Sequence, residues 1–413
     1  MRIAIIGGGA AGLMAAAAIS ETCPQAETFL IERNDGLGKK VIISGGGRCN
    51  VTTGLRDIRA VLSRYPRGGK FLNSAMRRFP PDVVYAWFED RGVPLKIEED
   101  LRVFPQSDDG HDVVAAFERL FRDSNVQVLL NRHVAGVRRG ADGYAISFKD
   151  GRTLDVDRVI LTTGGQAFRH TGSTGDGYAF AESLGHAVTA LAPSLNSFFV
   201  KEAWPKSVSG LSFEKACLKT RFSKPYAFTG PMLFTHRGVS GPAVFALSSL
   251  VAFETYDAGH PMRLLIDLFP DLPEESLLGK LEEALRGHPK KSLDNVLDFM
   301  MSKSLAHALC GELGLSPEAR AAELSKKDAR RIAAWLKGAP LTVIGRGAGD
   351  EFVTAGGVDL SDVDPKTMES RISPGLFFAG EILDIDGFTG GFNLQASWAT
   401  GRTAGESACR MLE

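Results

Sequence analysis

The run GKKVIISGGGRCNVTT at 38–53 sets three glycines beside an arginine, a cysteine and an asparagine. Such a run can be a phosphate cradle, a nucleophile loop on Cys49, or a strip of bare backbone laid along a flat ligand. A Walker-type phosphate loop needs G-x-x-x-x-G-K-[ST], which is absent. Cys49 has no C-x-x-C partner and no histidine near it in sequence, so it reads as a small buried contact rather than a reagent. Ser44 and Asn50 can supply hydrogen bonds, and Gly45, Gly46 and Gly47 can supply the bare backbone. Lys39, Lys40 and Arg48 are cations for a pyrophosphate or for a ring that gains negative charge. Arg48 is also a catalytic candidate, because a guanidinium can hold a carboxylate or carbonyl by paired donors; the competing reading is a structural salt bridge. His236, in LFTHRGVSGP, is the second catalytic candidate, since an imidazole can act as general acid or base near neutral pH. A hydrogen-bonded histidine at a strand–turn junction is its alternative. Ser240 reads as a helix N-cap ahead of Pro242.

These residues need elements to hold them. Residues 2–6 (RIAII) form the β-branched run of a buried parallel strand. Gly7-Gly8-Gly9-Ala10-Ala11-Gly12 then matches G-x-G-x-x-G and opens an alanine-rich helix. Gly7 permits the turn, Gly9 lets backbone approach a pyrophosphate, and Gly12 allows helix and strand to pack closely. The helix N-terminus then turns free N–H groups and a positive dipole end toward the phosphates. A second strand, TFLIE, ends in Glu32, whose carboxylate stands where an adenosine ribose would be gripped. Arg33 follows it. The chain next enters RNDGLGKK and the glycine run, an arrangement that suits a long ligand whose far end needs wrapping. RVILTTGG at 158–165 is a further strand and turn, ending in Thr163, Gly164 and Gly165. GLFFAGEILDIDGFTGGFNLQ at 375–395 is a strand, an acidic loop, a Gly-Gly turn and a helix start. Gly380, Glu381, Asp386, Gly390, Gly391, Phe392, Asn393 and Leu394 are its candidates for binding or ordering the same ligand. The motifs leave FAD and NAD open, the wrapped far end suiting the longer ligand.

Bulk properties narrow the class. A chain of 413 residues with 44% hydrophobic and 23% charged residues is an ordinary globular protein of two or three domains. Lys+Arg (48) and Asp+Glu (49) nearly cancel, so no net field draws it to nucleic acid or to an anionic membrane. Five scattered cysteines without a C-x-x-C argue against a disulfide framework, a zinc site and a redox dithiol, and they fit a reducing cytoplasm. No apolar run is long enough to predict a transmembrane span. Segments from Pro193 to about Pro270 read as strands, and 271–340 as helices carrying 11 basic and 11 acidic residues without a basic stripe.

GGGAAG, Glu32, SGGGRCN, TTGG, GSTGDGY, MLFTHRGVSGP and AGEILDIDGFTGGFNLQ, in that order along the whole chain, resemble the HI0933-like flavoproteins. These lie within the superfamily of glutathione reductase and fumarate reductase. The resemblance implies an α/β protein with a split Rossmann-like FAD-binding domain at 1–190 and 345–413. It implies an inserted β-barrel-like domain at 191–270, with about 340–355, and a small helical domain at 271–340. It also implies non-covalent FAD and a backbone contact from Val134 to the adenine. Arg169 stands where the family usually has proline. The expected function is an FAD-dependent oxidoreductase acting on a small-molecule substrate, with NAD(P)H as a transient donor because no second dinucleotide motif is present. An O₂-using oxidase and a non-catalytic redox sensor are the alternatives, and no nucleic-acid or membrane partner is expected.

Overall fold

The computed structural model describes residues 1–347 and 351–410. The chain divides into two compact units, one of residues 1–193 and 351–413 and one of residues 194–350.

The first unit is built on a five-stranded parallel sheet. Its order is Leu376–Phe378, Arg158–Leu161, Arg2–Ile6, Glu27–Ile31 and Val126–Leu129. Helices cover a parallel sheet on its faces, which is why Ile3, Ile5 and Ile160 can all be fully buried. The helix Ala10–Thr22 follows the first strand, and the helix Phe392–Ala408 packs against it through small residues. A methyl group on Gly401 would overlap the Ala11 carbonyl, so no larger residue allows this approach. The two ends of the chain are thereby joined beside the first strand. A three-stranded antiparallel sheet, Val134–Arg139, Tyr144–Phe148 and Thr153–Val156, turns at Asp150-Gly151, a residue pair suited to a tight hairpin.

The second unit holds a closed six-stranded barrel of Phe198–Val200, Gly238–Ser240, Pro225–Thr235, Ser212–Arg221, Met262–Asp267 and Ala339–Arg346. Closure removes exposed strand edges. The helices Glu274–Gly287, Lys303–Leu313 and Lys326–Lys337 share one hydrophobic cluster with it, including Leu264, Leu277, Leu281 and Ile332. The strand-like and helix-like segments therefore form one compact body. Asp267, almost fully buried, is paired with Lys337 at 2.8 Å, which ties the last of these helices to the barrel. The helix Pro242–Leu250 forms as expected but is capped differently. Gly241, at φ +102°, holds the N-cap position, and the Ser240 hydroxyl lies 2.7 Å from that of Ser197. Among the described residues no helix is long and apolar enough to cross a membrane.

Candidate cofactor site

The first turn of the Rossmann-like unit is built as its glycines require. Gly7 has φ +112°, and a Cβ there would stand 2.5 Å from the Thr162 carbonyl oxygen. A Cβ on Gly12 would overlap the Gly7 carbonyl oxygen, so helix and strand touch at this point. Gly9 is different: it caps the helix, and a Cβ there would meet nothing within 4 Å. Bare backbone at Gly9 and the first helical turn, with Ala10 half-buried and Ala11 buried, thus faces open space. Glu32 is buried beside it and accepts hydrogen bonds from Gly8 N at 2.8 Å and from Asn34 N and Nδ2 at 2.9 and 2.8 Å. A carboxylate has about four acceptor positions, so capacity for a further donor remains. Arg132 N donates to the Glu32 carbonyl at 2.9 Å, which brings the buried Val134 to the same end of the sheet. Arg33 reaches toward the GSTGDG segment, donating to Thr174 Oγ1 at 2.6 Å and Asp176 Oδ2 at 3.0 Å.

The glycine run lies between two helical contacts. Residues Lys39–Ile43 form a short helix that the sequence did not suggest, since its VII triplet reads as strand. Packing against the helix Gly110–Arg122 overrides that preference. Gly45, Gly46 and Gly47 follow with φ of +59°, +76° and +90°. Cβ atoms on Gly46 and Gly47 would meet nothing within 4 Å, a second strip of backbone facing open space. With its amide turned to satisfy both groups, Asn50 accepts from Gly391 N at 2.9 Å. Gln395 Oε1 accepts from Thr52 Oγ1 at 2.6 Å, and Trp398 Nε1 donates to the Val51 carbonyl at 2.9 Å. The end of the glycine run and the start of the last helix are therefore one structure, although more than three hundred residues separate them.

The cations of the run have distinct fates. Lys40 Nζ pairs with Glu381 Oε2 at 2.7 Å, and Glu381 Oε1 accepts from Thr354 N at 2.9 Å. Lys39 pairs with the exposed Asp35 at 2.6 Å. Arg48 is held by Glu98 and by Asp108, the latter at 2.7 Å, and its guanidinium lies 3.8 Å from the centre of the Phe104 ring. The salt-bridged alternative is thus the arrangement present. Ser44 Oγ donates to the Val41 carbonyl at 2.7 Å. Cys49 is fully buried at φ +58°, and burial pushes its thiol up to about 12.

In the C-terminal loop, Asp386 is fully buried and bound by Arg67 through two contacts, Nε to Oδ1 and Nη2 to Oδ2. Arg67 was not singled out from sequence; nothing near it in the chain signals a partner so distant. Asn393 bonds both ways with the Gly387 backbone at 2.8 Å, and the buried Phe392 ring meets Tyr65 edge-on. Gly380 N donates to Thr400 Oγ1 at 3.0 Å, and Gly390, Gly391 and Leu394 are half-buried at the helix start. Thr163, Gly164 and Gly165 follow the strand Arg158–Leu161 in the turn after it. Gly165 sits against Thr354 and Glu381. Among the described residues, the Thr163 and Tyr178 hydroxyls and Asp384 Oδ1 are buried without a hydrogen-bond partner. Burial raises the Asp384 carboxyl above its ordinary value, and the nearby Arg67 opposes that shift.

His236 lies in the second unit, exposed in the turn between Pro225–Thr235 and Gly238–Ser240. It belongs to a different compact unit from the glycine-lined residues.

Two strips of bare backbone, a helix N-terminus, a buried carboxylate and two orphaned hydroxyls fit a long dinucleotide with a flat ring. Comparison with known proteins agrees. The chain is 31% identical to the 3-dehydro-bile acid delta(4,6)-reductase of Clostridium scindens, covering 98% of both chains. It is 30% identical to the ribosomal RNA dihydrouridine synthase of Escherichia coli, covering 96% of this chain and 95% of that one. A quinol–fumarate reductase structure shares the fold at 16% identity and a TM-score of 0.52, over 99% of this chain and 70% of the other. Residues 1–407 match the model of the HI0933-like protein Rossmann domain, and the chain belongs to that family of flavin-dependent oxidoreductases.

Proposed function

We propose that the protein is an FAD-dependent reductase that saturates a carbon–carbon double bond conjugated to a carbonyl. One observation carries this reading. Relatives that match almost end to end are named for such reactions, one on a 3-dehydro-bile acid and others on the uridine of ribosomal RNA. Their substrates differ widely, but the bond reduced is of one type: electron-poor, beside a carbonyl, and open to hydride at its far carbon.

Bound FAD would supply hydride chemistry at its N5 atom. On this reading the Gly9 backbone and the N-terminus of the helix Ala10–Thr22 hold the pyrophosphate, and Glu32 holds the ribose. The strip at Gly45–Gly47 lies along the flavin, with Asn50 fixed by its bond to Gly391. Lys40 and Glu381 neutralise each other in the same site, so together they add little net charge to the ring. Arg48, locked between two carboxylates, positions the glycine run rather than touching substrate. NAD(P)H is the proposed donor, binding transiently.

The charge balance of the chain led to the expectation of no nucleic-acid partner, but net charge constrains fold-wide fields and not one docking patch. The rRNA-directed relative supports keeping RNA among the substrates to be tested. The test is anaerobic: NADPH should bleach the enzyme's flavin band, and an enone or a uridine-containing RNA should restore it. An enzyme that reoxidised only with O₂ would be an oxidase instead.

A further inference from the structure

Beside the Lys40–Glu381 pair, the TTGG turn runs into the loop Gln166–Thr171. Its first residues are fixed by Thr354 Oγ1, which accepts from Gln166 N at 2.7 Å and from Ala167 N at 3.2 Å. The next residue, Phe168, adopts a left-handed backbone at φ 56° and ψ 51°. A bulky aromatic residue rarely accepts that conformation, and it persists only when the surroundings impose it. The result is that the Phe168 ring stacks on Phe352, centroids 5.9 Å apart and planes 9° from parallel. Phe352 is 39% exposed, and Lys40 Nζ lies 5.7 Å from the centre of the Phe168 ring.

Arg169 and His170 flank this stack, both exposed. Arg169 donates to Gln166 Oε1 at 3.0 Å, and His170 meets the Phe168 ring edge-on at 5.8 Å. Among the described residues no carboxylate pairs with either. The corner therefore combines a partly exposed aromatic ring with the Arg169 guanidinium and the His170 imidazole, neither paired with a carboxylate among the described residues, next to the glycine-lined site.

We propose that this corner is a nucleotide-docking site: Phe352 stacks a heteroaromatic base while Arg169 and His170 take its phosphate. An exposed aromatic face accepts a base without regard to sequence, and a guanidinium fork suits phosphate oxygens. Two sources offer this chemistry, a nicotinamide dinucleotide donor and a nucleotide of an RNA substrate. The inference rests on the reductase reading only for what the nucleotide is used for.

The FAD-loaded enzyme is titrated by calorimetry with NADP⁺ and, separately, with hexauridylate. At least one should bind, and Arg169→Gln and Phe352→Ala should each weaken it roughly tenfold, the loss of one good contact, with flavin content unchanged. Both positions are exposed, so neither variant should misfold. Weakening of NADP⁺ alone marks a donor site, and weakening of hexauridylate alone marks an RNA site. The proposal is overturned if the wild type binds neither nucleotide, if the variants bind as tightly as the wild type, or if they lose FAD. Normal nucleotide binding in the variants, with an enone still reoxidising the wild-type flavin, would remove this site and leave the reductase intact. Weakened nucleotide binding with no substrate reduced would do the reverse.

Discussion

Gly9 and Gly12 share one motif but differ in what surrounds them. A methyl on Gly12 would overlap the Gly7 carbonyl, while a methyl on Gly9 meets only open space. Gly12→Ala should therefore lower stability by about 2 kcal/mol or more in denaturant titration, even without FAD. Gly9→Ala should leave the apoprotein as stable as the parent yet impair FAD retention on dialysis, because the methyl stands where the pyrophosphate is proposed to lie. Equal retention would remove Gly9 from the site. Glu32→Ala should weaken FAD at least about tenfold, the worth of a charge-assisted hydrogen bond to ribose. Cys49 offers a pH test. Its thiol holds its proton up to about 12, against 9.0 ordinarily, so the folded chain binds that proton more tightly than the unfolded one. Its contribution to stability is then complete below pH 9.0 and declines as pH rises toward about 12. Iodoacetamide should leave Cys49 unmodified in the native protein at pH 8, as read by peptide mass mapping. At this scale the turn at Gly7 and the close packing at Gly12 were legible because local geometry dictates them. The partners of Arg48, some fifty and sixty residues further on, were not.

Among the elements, the loop before the last helix shows how distant segments fix the site. Asp386 is fully buried and its ion-pair partner comes from Arg67, near a different helix. Removing one member of a buried pair leaves the other charge badly solvated, so Arg67→Ala should cost about 3–5 kcal/mol. The same variant should release FAD more readily, since Gly387 and Asn393 follow directly on this loop. Retained stability would mean that Asp386 is held by its other surroundings. β-branched runs made the strands at 2–6, before Glu32, at 158–161 and at 376–378 readable from sequence, along with the strand-rich stretch of the barrel. The helix Lys39–Ile43 was hidden because its residues favour strand and only tertiary packing makes it helical. The cap of Pro242–Leu250 was misplaced by one residue, because a serine before Gly-Pro looks like a cap while its hydroxyl in fact pairs with Ser197.

For the molecule as a whole, the family resemblance implied a split α/β unit with two inserted domains, and the structure gathers residues 194–350 into one body around a closed barrel. That merging depends on side-chain contacts between barrel and helices, which no periodicity reports. The bare backbone at Gly9 and at Gly46–Gly47 comes from opposite sides of the first helix in sequence, and only the fold unites it with the C-terminal helix start. Reduction of a conjugated double bond with FAD can be followed in one anaerobic measurement. The purified holoenzyme is reduced with dithionite to the end-point and mixed, without oxygen, with a 3-oxo-4-ene steroid acid or with hexauridylate. The oxidised flavin band should return with at least one of them, in step with a product two hydrogens heavier by mass. A flavin that stays reduced with both, and reoxidises only when air is admitted, would contradict it.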